Sequence, residues 1–233
     1  MSAESMHTLN NNVLVGFTDK RGKAWHYDEA YQGAESNHYP GAIPVADINR
    51  RLFNWEPLQV PVNAVIPTTD PEQANSMDEH GEPCIIVPVP GKMAIVRSDT
   101  HATIGMHSDN YQIHEYDEWL IRLSSSICGE TLQPSSAGLL KGGAVAWVEF
   151  SIPETLHDDK TGMKFRSNYL ATTALDGSCA TTHGLTITQT VCDNTRAVAI
   201  GEMRKDGRVY RIKHTKHSNA KIDEARRALS LVE

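Results

Sequence analysis

The chain has 233 residues, 39% hydrophobic and 22% charged, with a net charge of −7. That composition supports one substantial hydrophobic core and excludes a disordered or fibrous chain. No apolar run reaches the roughly 20 residues of a membrane span, and the polar stretch Met1 to Asn12 lacks the basic start and apolar centre of a secretion signal. Cys84, Cys128, Cys179 and Cys192 form no close pair, so four reduced thiols in a cytoplasmic setting are expected, not a zinc site or a disulfide framework.

Residues 1–42 read as an N-terminal arm anchored by Val13, Val15, Phe17, Trp25 and Tyr27. Residues 43–233 read as a single α+β domain. Pro44 to Trp55 has helical spacing (Val45, Ile48, Leu52, Trp55), with Pro44 suited to a first turn. Leu58 to Ile66 alternates like an edge strand, the only place where Pro61 is tolerated. Thr68 to Pro83 is an acidic, proline-punctuated surface loop. Short strands follow at Cys84 to Val89, Met93 to Arg97 and Thr103 to His107. A turn at Ser108-Asp109-Asn110 then leads to Tyr111, Gln112 and Ile113.

A helix is predicted from Glu115 to Ile127, with Trp119, Leu120, Leu123 and Ile127 on its apolar face and Gly129 as its stop. A β-meander follows: Ala144 to Ile152, Tyr169 to Leu175 and Thr181 to Val191. Val145, Trp147 and Phe150 are its inward positions, with Val148 on the polar side. Cys192 to Thr195 reads as a capped strand-to-helix turn. Arg204 to Ile212 reads as a Lys205-Asp206-Gly207 turn between strand-like flanks. Ser218 or Asn219 caps a last helix bearing Ile222, Ala225, Leu229 and Val232, with no stop signal before Glu233.

Charge changes sign along the chain. Residues 1–200 hold 13 Lys/Arg and 24 Asp/Glu, a net −11, whereas residues 201–233 hold 9 and 5, a net +4. A basic terminal element on an acidic body is a candidate phosphate-facing surface, and equally a solvated face. Arg204, Lys205, Arg208, Arg211, Lys213 and Lys216, with Tyr210, have the composition of a single-strand nucleic-acid groove: cations for the backbone and a ring for a base.

Other chemistry finds less support. His101 with His107, or His214 with His217, could pair imidazoles, but neither carries the carboxylate spacing of a zinc signature, so no metal is expected. A Gly-x-Ser-x-Gly elbow is absent. Lys141-Gly142-Gly143 lacks the Gly-Lys-Ser/Thr ending of a phosphate loop. Adjacent Asp158 and Asp159 suit a solvated turn better than a paired-acid site. No cofactor motif stands out.

Several runs resemble a known family in order and spacing over about residues 93–230. They are Gly105 to Ile113 before a helix, Ala137-Gly138-Leu139 through Lys141-Gly142-Gly143 to Val145-Ala146-Trp147, and the turn Asp176-Gly177-Ser178. Val191-Cys192-Asp193-Asn194-Thr195 and the later His214-Thr215 complete the pattern. The chain resembles the phage/plasmid-like protein family, domain of unknown function 932. It departs from that pattern at His114, where members carry Asn, and at Arg196, where they carry Leu. Members tend to extend past the last helix, so the resemblance implies a shortened C-terminus. It also implies a bacterial cytoplasmic, mobile-element setting.

The expected fold is a mainly antiparallel sheet of hairpins plus a β-meander, packed with a few helices. It is distantly reminiscent of the single-strand annealing recombinases, by analogy of fold alone. Two function classes follow. One is a homo-oligomeric protein of DNA metabolism and recombination that binds, and in the fuller version anneals, single-stranded DNA. The other is an enzyme in which Asp176, Asn194 and His214 orient a substrate. A phage interaction module without chemistry is the plainer alternative.

Overall fold

The computed structural model describes residues 2–33, 35–129, 133–158, 163–207, 209–222 and 224. Its centre is a six-stranded antiparallel sheet in the order β1-β6-β7-β8-β9-β10. The strands are β1 (Val13–Val15), β6 (Gln133–Leu140), β7 (Val145–Asp158), β8 (Met163–Ala174), β9 (Thr181–Thr186) and β10 (Val209–Ile212). A second sheet combines β2 (Pro57–Pro67), β3 (Ser76–Met77), β4 (Pro83–Arg97) and β5 (Thr103–Ser108), with β4 pairing all three others. The α+β architecture with antiparallel sheets is therefore the one expected.

Both faces of the six-stranded sheet are covered. On one face Val145, Trp147 and Leu170 meet Leu9 of helix α1 (Met6–Asn12) and Ala199, Ile200 and Met203 of helix α5 (Asp193–Lys205). On the other face Ala146, Val148, Phe150, Tyr169 and Ala171 meet three groups. These are Ile48 of helix α3 (Val45–Arg51), Leu120 and Ile121, and Ile95 and Ile104 of the second sheet. Double coverage corrects the meander as read from sequence. Trp147 and Phe150 point to opposite faces, and Val148 is fully buried, because a strand buried on both sides has no polar side to alternate with. The indole of Trp147 also explains Gly138, its cross-strand partner. A Cβ at Gly138 would lie 2.1 Å from the ring.

Other boundaries moved for local reasons. Helix α3 starts at Val45, so Pro44 stands at the N-cap and not in the first turn. Cys84 to Arg97 is one strand, broken in register by a bulge opposite Pro61 and Asn63, and the acidic loop before it contributes the short β3. The helix predicted from Glu115 begins as a π-helix (Asp117–Arg122), continues as α4 (Leu123–Cys128) and stops at Gly129 with φ +80°. Trp119, Leu120 and Ile121 are buried in succession because this helix packs between two clusters, Trp119 with Leu123 and Ile212, and Leu120 and Ile121 in the main core.

Cys192 caps α5 with Thr195 in a reciprocal box, as the strand-to-helix turn implied. That helix runs on to Lys205, so Arg204 and Lys205 end a helix and do not flank a hairpin turn. The last predicted helix beyond Glu224 and the Asp159 to Gly162 part of a predicted loop lie outside the described residues. All four cysteines are free. Among the described residues no helix is long and apolar enough to cross a membrane.

One fully buried acid interrupts the core. Glu149 accepts from the Thr190 amide at 2.8 Å and lies 3.4 Å from the Ser135 hydroxyl. Burial pushes its carboxyl up to about 8, against the opposing pull of those bonds and of the Arg21 charge.

Candidate functional site

The chain between β5 and the π-helix runs beside the segment after β10. Tyr111 bridges to Thr215, and the Gln112 amide donates to the His214 carbonyl at 3.3 Å. This pairing builds a column of five rings. His107 stacks on Tyr111 with centroids 3.8 Å apart, and Tyr111 on His214 at 4.8 Å. His214 stacks on His114 at 4.0 Å, and His114 on Trp119 at 3.6 Å. The column runs from the half-buried His107 and Tyr111 to the buried His114 and Trp119. Its outer end sits on the turn after β8: His107 bonds the Leu175 carbonyl at 2.6 Å. A Cβ at Gly105 would lie 2.1 Å from that same carbonyl oxygen, so only glycine fits there.

Hydrogen bonds thread the inner rings in one direction. His214 Nδ1 lies 3.1 Å from the Gln112 carbonyl, which can only accept, so Nδ1 carries the proton. Nε2 of the neutral ring therefore accepts from Thr173 at 3.1 Å. Thr173, its proton spent, accepts from Thr181 at 2.7 Å, and Thr181 accepts from His114 Nδ1 at 2.6 Å. The bare Nε2 of His114 ends the chain, buried and without a partner among the described residues. Burial lowers His114 to about 2, with His214 and His183 nearby adding to the effect. Burial also lowers His214 to about 4, partly offset by its bond to Gln112. Both rings are thus neutral at physiological pH, which is what the one-way chain requires.

Of the three residues expected to orient a substrate, two flank Tyr111. His214 stacks on its ring, and the Asp176 carboxylate, together with the larger effect of burial, raises its phenol. Asp176 is held by Lys141 Nζ at 2.8 Å and the Ser178 amide at 2.9 Å. Those bonds outweigh burial and keep its carboxyl below the usual range. Asn194 is not part of this group. It is exposed in the first turn of α5, and α5 packs on the sheet face opposite Thr173 and the rings: the neighbouring Thr172 bonds Arg196 of α5 at 2.7 Å. His107 and Tyr111 were legible only as part of the Gly105 to Ile113 run and Trp119 only as helix core, while His114, Thr173 and Thr181 carried no signal of a site, since the column joins segments up to 103 residues apart, the separation of Tyr111 and His214. Among the described residues no cluster of three metal-ligating side chains occurs.

The basic residues form a separate surface beside the column. Arg204 and Lys205 end α5, Arg211 lies on β10 at the open edge of the sheet, and Lys213 and Lys216 follow it. All five are exposed, and none joins an ion pair among the described residues. Arg208 lies outside the described residues. Tyr210 is half-buried against Trp119 and Ile212, and its hydroxyl donates to the Lys221 carbonyl at 3.3 Å. Tyr210 therefore anchors the edge strand and keeps its ring turned to the protein.

The sequence profile of the Domain of unknown function (DUF932) family matches residues 103–233. The chain belongs to that family. No curated protein and no solved structure matches it. The DUF932 segment includes the whole ring column, the Thr173–Thr181 link and the basic edge, and excludes α1, the single helical turn α2 (Thr18–Arg21), α3 and strands β1 to β4. Within it, His114 and Arg196 each meet a threonine of β8 or β9: His114 bonds Thr181, and Arg196 bonds Thr172.

Proposed function

We propose that this DUF932 protein binds single-stranded DNA through the basic edge formed by the end of α5, β10 and the segment to Lys216. One observation carries the reading: Arg211, Lys213 and Lys216 along the open sheet edge, and Arg204 and Lys205 at the end of α5 just before it, are exposed and join no ion pair among the described residues. Cations that are not neutralised within the protein retain their full attraction for a phosphate backbone, and the gain comes from released counterions. Because the Tyr210 ring is engaged, binding is electrostatic with little base stacking, and sequence preference is weak. A role in the DNA metabolism of a phage or plasmid, in the bacterial cytoplasm and as a homo-oligomer, suits such a surface. Strand annealing is the fuller version of the same reading.

The enzyme alternative gains little from the arrangement. Asn194 lies across the sheet from His214, and the facing nitrogens of His214 and Asp176's oxygens are engaged within the protein.

Fluorescence anisotropy with a labelled oligonucleotide tests the proposal. If the five cations each neutralise one phosphate, log K against log salt has a slope of about −3.5. Arg211→Glu with Lys213→Glu should flatten the slope and weaken binding at least tenfold at low salt. Absence of binding by the wild-type protein at low salt ends the proposal.

A further inference from the structure

The hairpin of β2 and β4 extends past its support. Near the body, β5 flanks it, and Ala94, Ile95 and Ile104 are buried. Beyond Pro61 only the two strands and the two-residue β3 continue; Asn63 to Pro67 are all exposed in succession, and of the facing part of β4 only Cys84 is buried. Val65, Ile66, Met77 and Val87 are between 41% and 69% exposed there. A ribbon of this size is marginal in water without a surface to lie on, and clustered exposed apolar side chains mark an interaction surface.

Charge identifies the partner surface. Residues 57–91 carry Asp70, Glu72, Asp78, Glu79 and Glu82 and no Lys or Arg. Asp70 accepts through both oxygens and Asp78 through Oδ1 from their own turns, whereas the carboxylates of Glu72, Glu79 and Glu82 are exposed and hold no turn. Residues 204–221 carry seven Lys/Arg and one acid. We infer that the acidic hairpin tip of one molecule docks on the basic edge of a second copy. The two patches differ, so the contact is head-to-tail and repeats, closing into a ring or running as a filament. Pro57, Pro61 and Pro67 along the open side of β2 disfavour simple strand addition, leaving charge and apolar contact as the glue. The inference uses the edge assigned above to DNA but rests on its charge and exposure, not on DNA binding.

Sedimentation velocity on the full chain tests it, with two surface variants. One is Glu72→Lys, Glu79→Lys and Glu82→Lys at the tip; the other is Arg204→Glu, Arg211→Glu and Lys213→Glu at the edge. At low salt the wild type should assemble with rising concentration, and high salt should reverse this. Each variant alone should assemble at least tenfold more weakly, with its circular dichroism unchanged. An equimolar mixture should regain assembly, since the reversed tip of one now meets the reversed edge of the other. A monomeric wild type at low salt, wild-type assembly by the tip variant, or a mixture that stays dissociated overturns the inference. The tip variant should bind the oligonucleotide at least as tightly as the wild type, since its basic edge is intact and no longer covered, so loss of assembly and loss of DNA binding are read separately.

Discussion

Replacing Glu149 by Gln should make the protein more stable, and increasingly so as pH rises. The carboxyl is fully buried and its pKa lies at about 8 in the fold against an ordinary carboxylate value of 4.5. An acid whose folded pKa is raised holds its proton longer when folded. Its favourable contribution is complete below the unfolded value and is lost as pH rises through the folded one. At about 1.4 kcal/mol per pKa unit, the ceiling is about 5 kcal/mol, of which about 4 kcal/mol develops between pH 5 and 8.5. Water penetration and local relaxation around the carboxyl reduce this, and about 2 kcal/mol is the expected observable.

Gln keeps the geometry. Its oxygen accepts from the Thr190 amide, and its nitrogen can donate to Ser135 Oγ, whose own proton goes to the Glu149 carbonyl at 3.2 Å. Urea unfolding of both proteins at half-unit pH steps gives a difference curve in which the contributions of the histidines cancel. A curve that is flat, or that favours wild type as pH rises, refutes the reasoning.

The histidines impose the opposite trend. Burial lowers His26, His183 and His214 to about 4 and His114 to about 2. Their unfolded forms take up protons first, so stability is complete above about pH 6.5 and falls as pH drops toward 4. In the Glu149→Gln protein, the urea midpoint should therefore fall between pH 7.5 and 5, and a constant midpoint would contradict the neutral column. Thr173→Val should cost about 1–3 kcal/mol, because His214 Nε2 loses its donor and Thr181 its acceptor in a buried place. Thr173→Ser should restore most of that in the same denaturation assay; equal loss in both variants would point to packing instead.

What was readable in the sequence was local. Trp119 and Leu120 announced a buried helix, Pro61 an edge strand, and Cys192 with Thr195 a capped turn, because each depends on neighbours within a few residues. The π turn was invisible, since the spacing of apolar residues from Asp117 to Arg122 reads equally as an α-helix. Double coverage of the sheet was misread at Val148, because one strand does not reveal what packs on its second face. The column escaped for the same reason: His107, His114 and His214 meet only after β10 returns beside Tyr111. The basic run was legible as charge, but Tyr210's inward role was not, because burial belongs to the fold and not to the residue type.

Strand β8 carries Thr172 and Thr173 side by side, one facing Arg196 and the other His214. Flanked by Ala171 and Ala174, and buried on both sides, this stretch gives hydrophobicity nothing with which to choose an alignment. Over these four residues a slip by one position exchanges only small side chains. A slip one way would set Ala171 opposite Arg196, and a slip the other way would set Ala174 opposite His214, so either leaves a buried polar side chain facing a methyl group. The paired hydroxyls thus act as alignment marks where the small side chains carry none, adding to the register set by Tyr169 and Leu170.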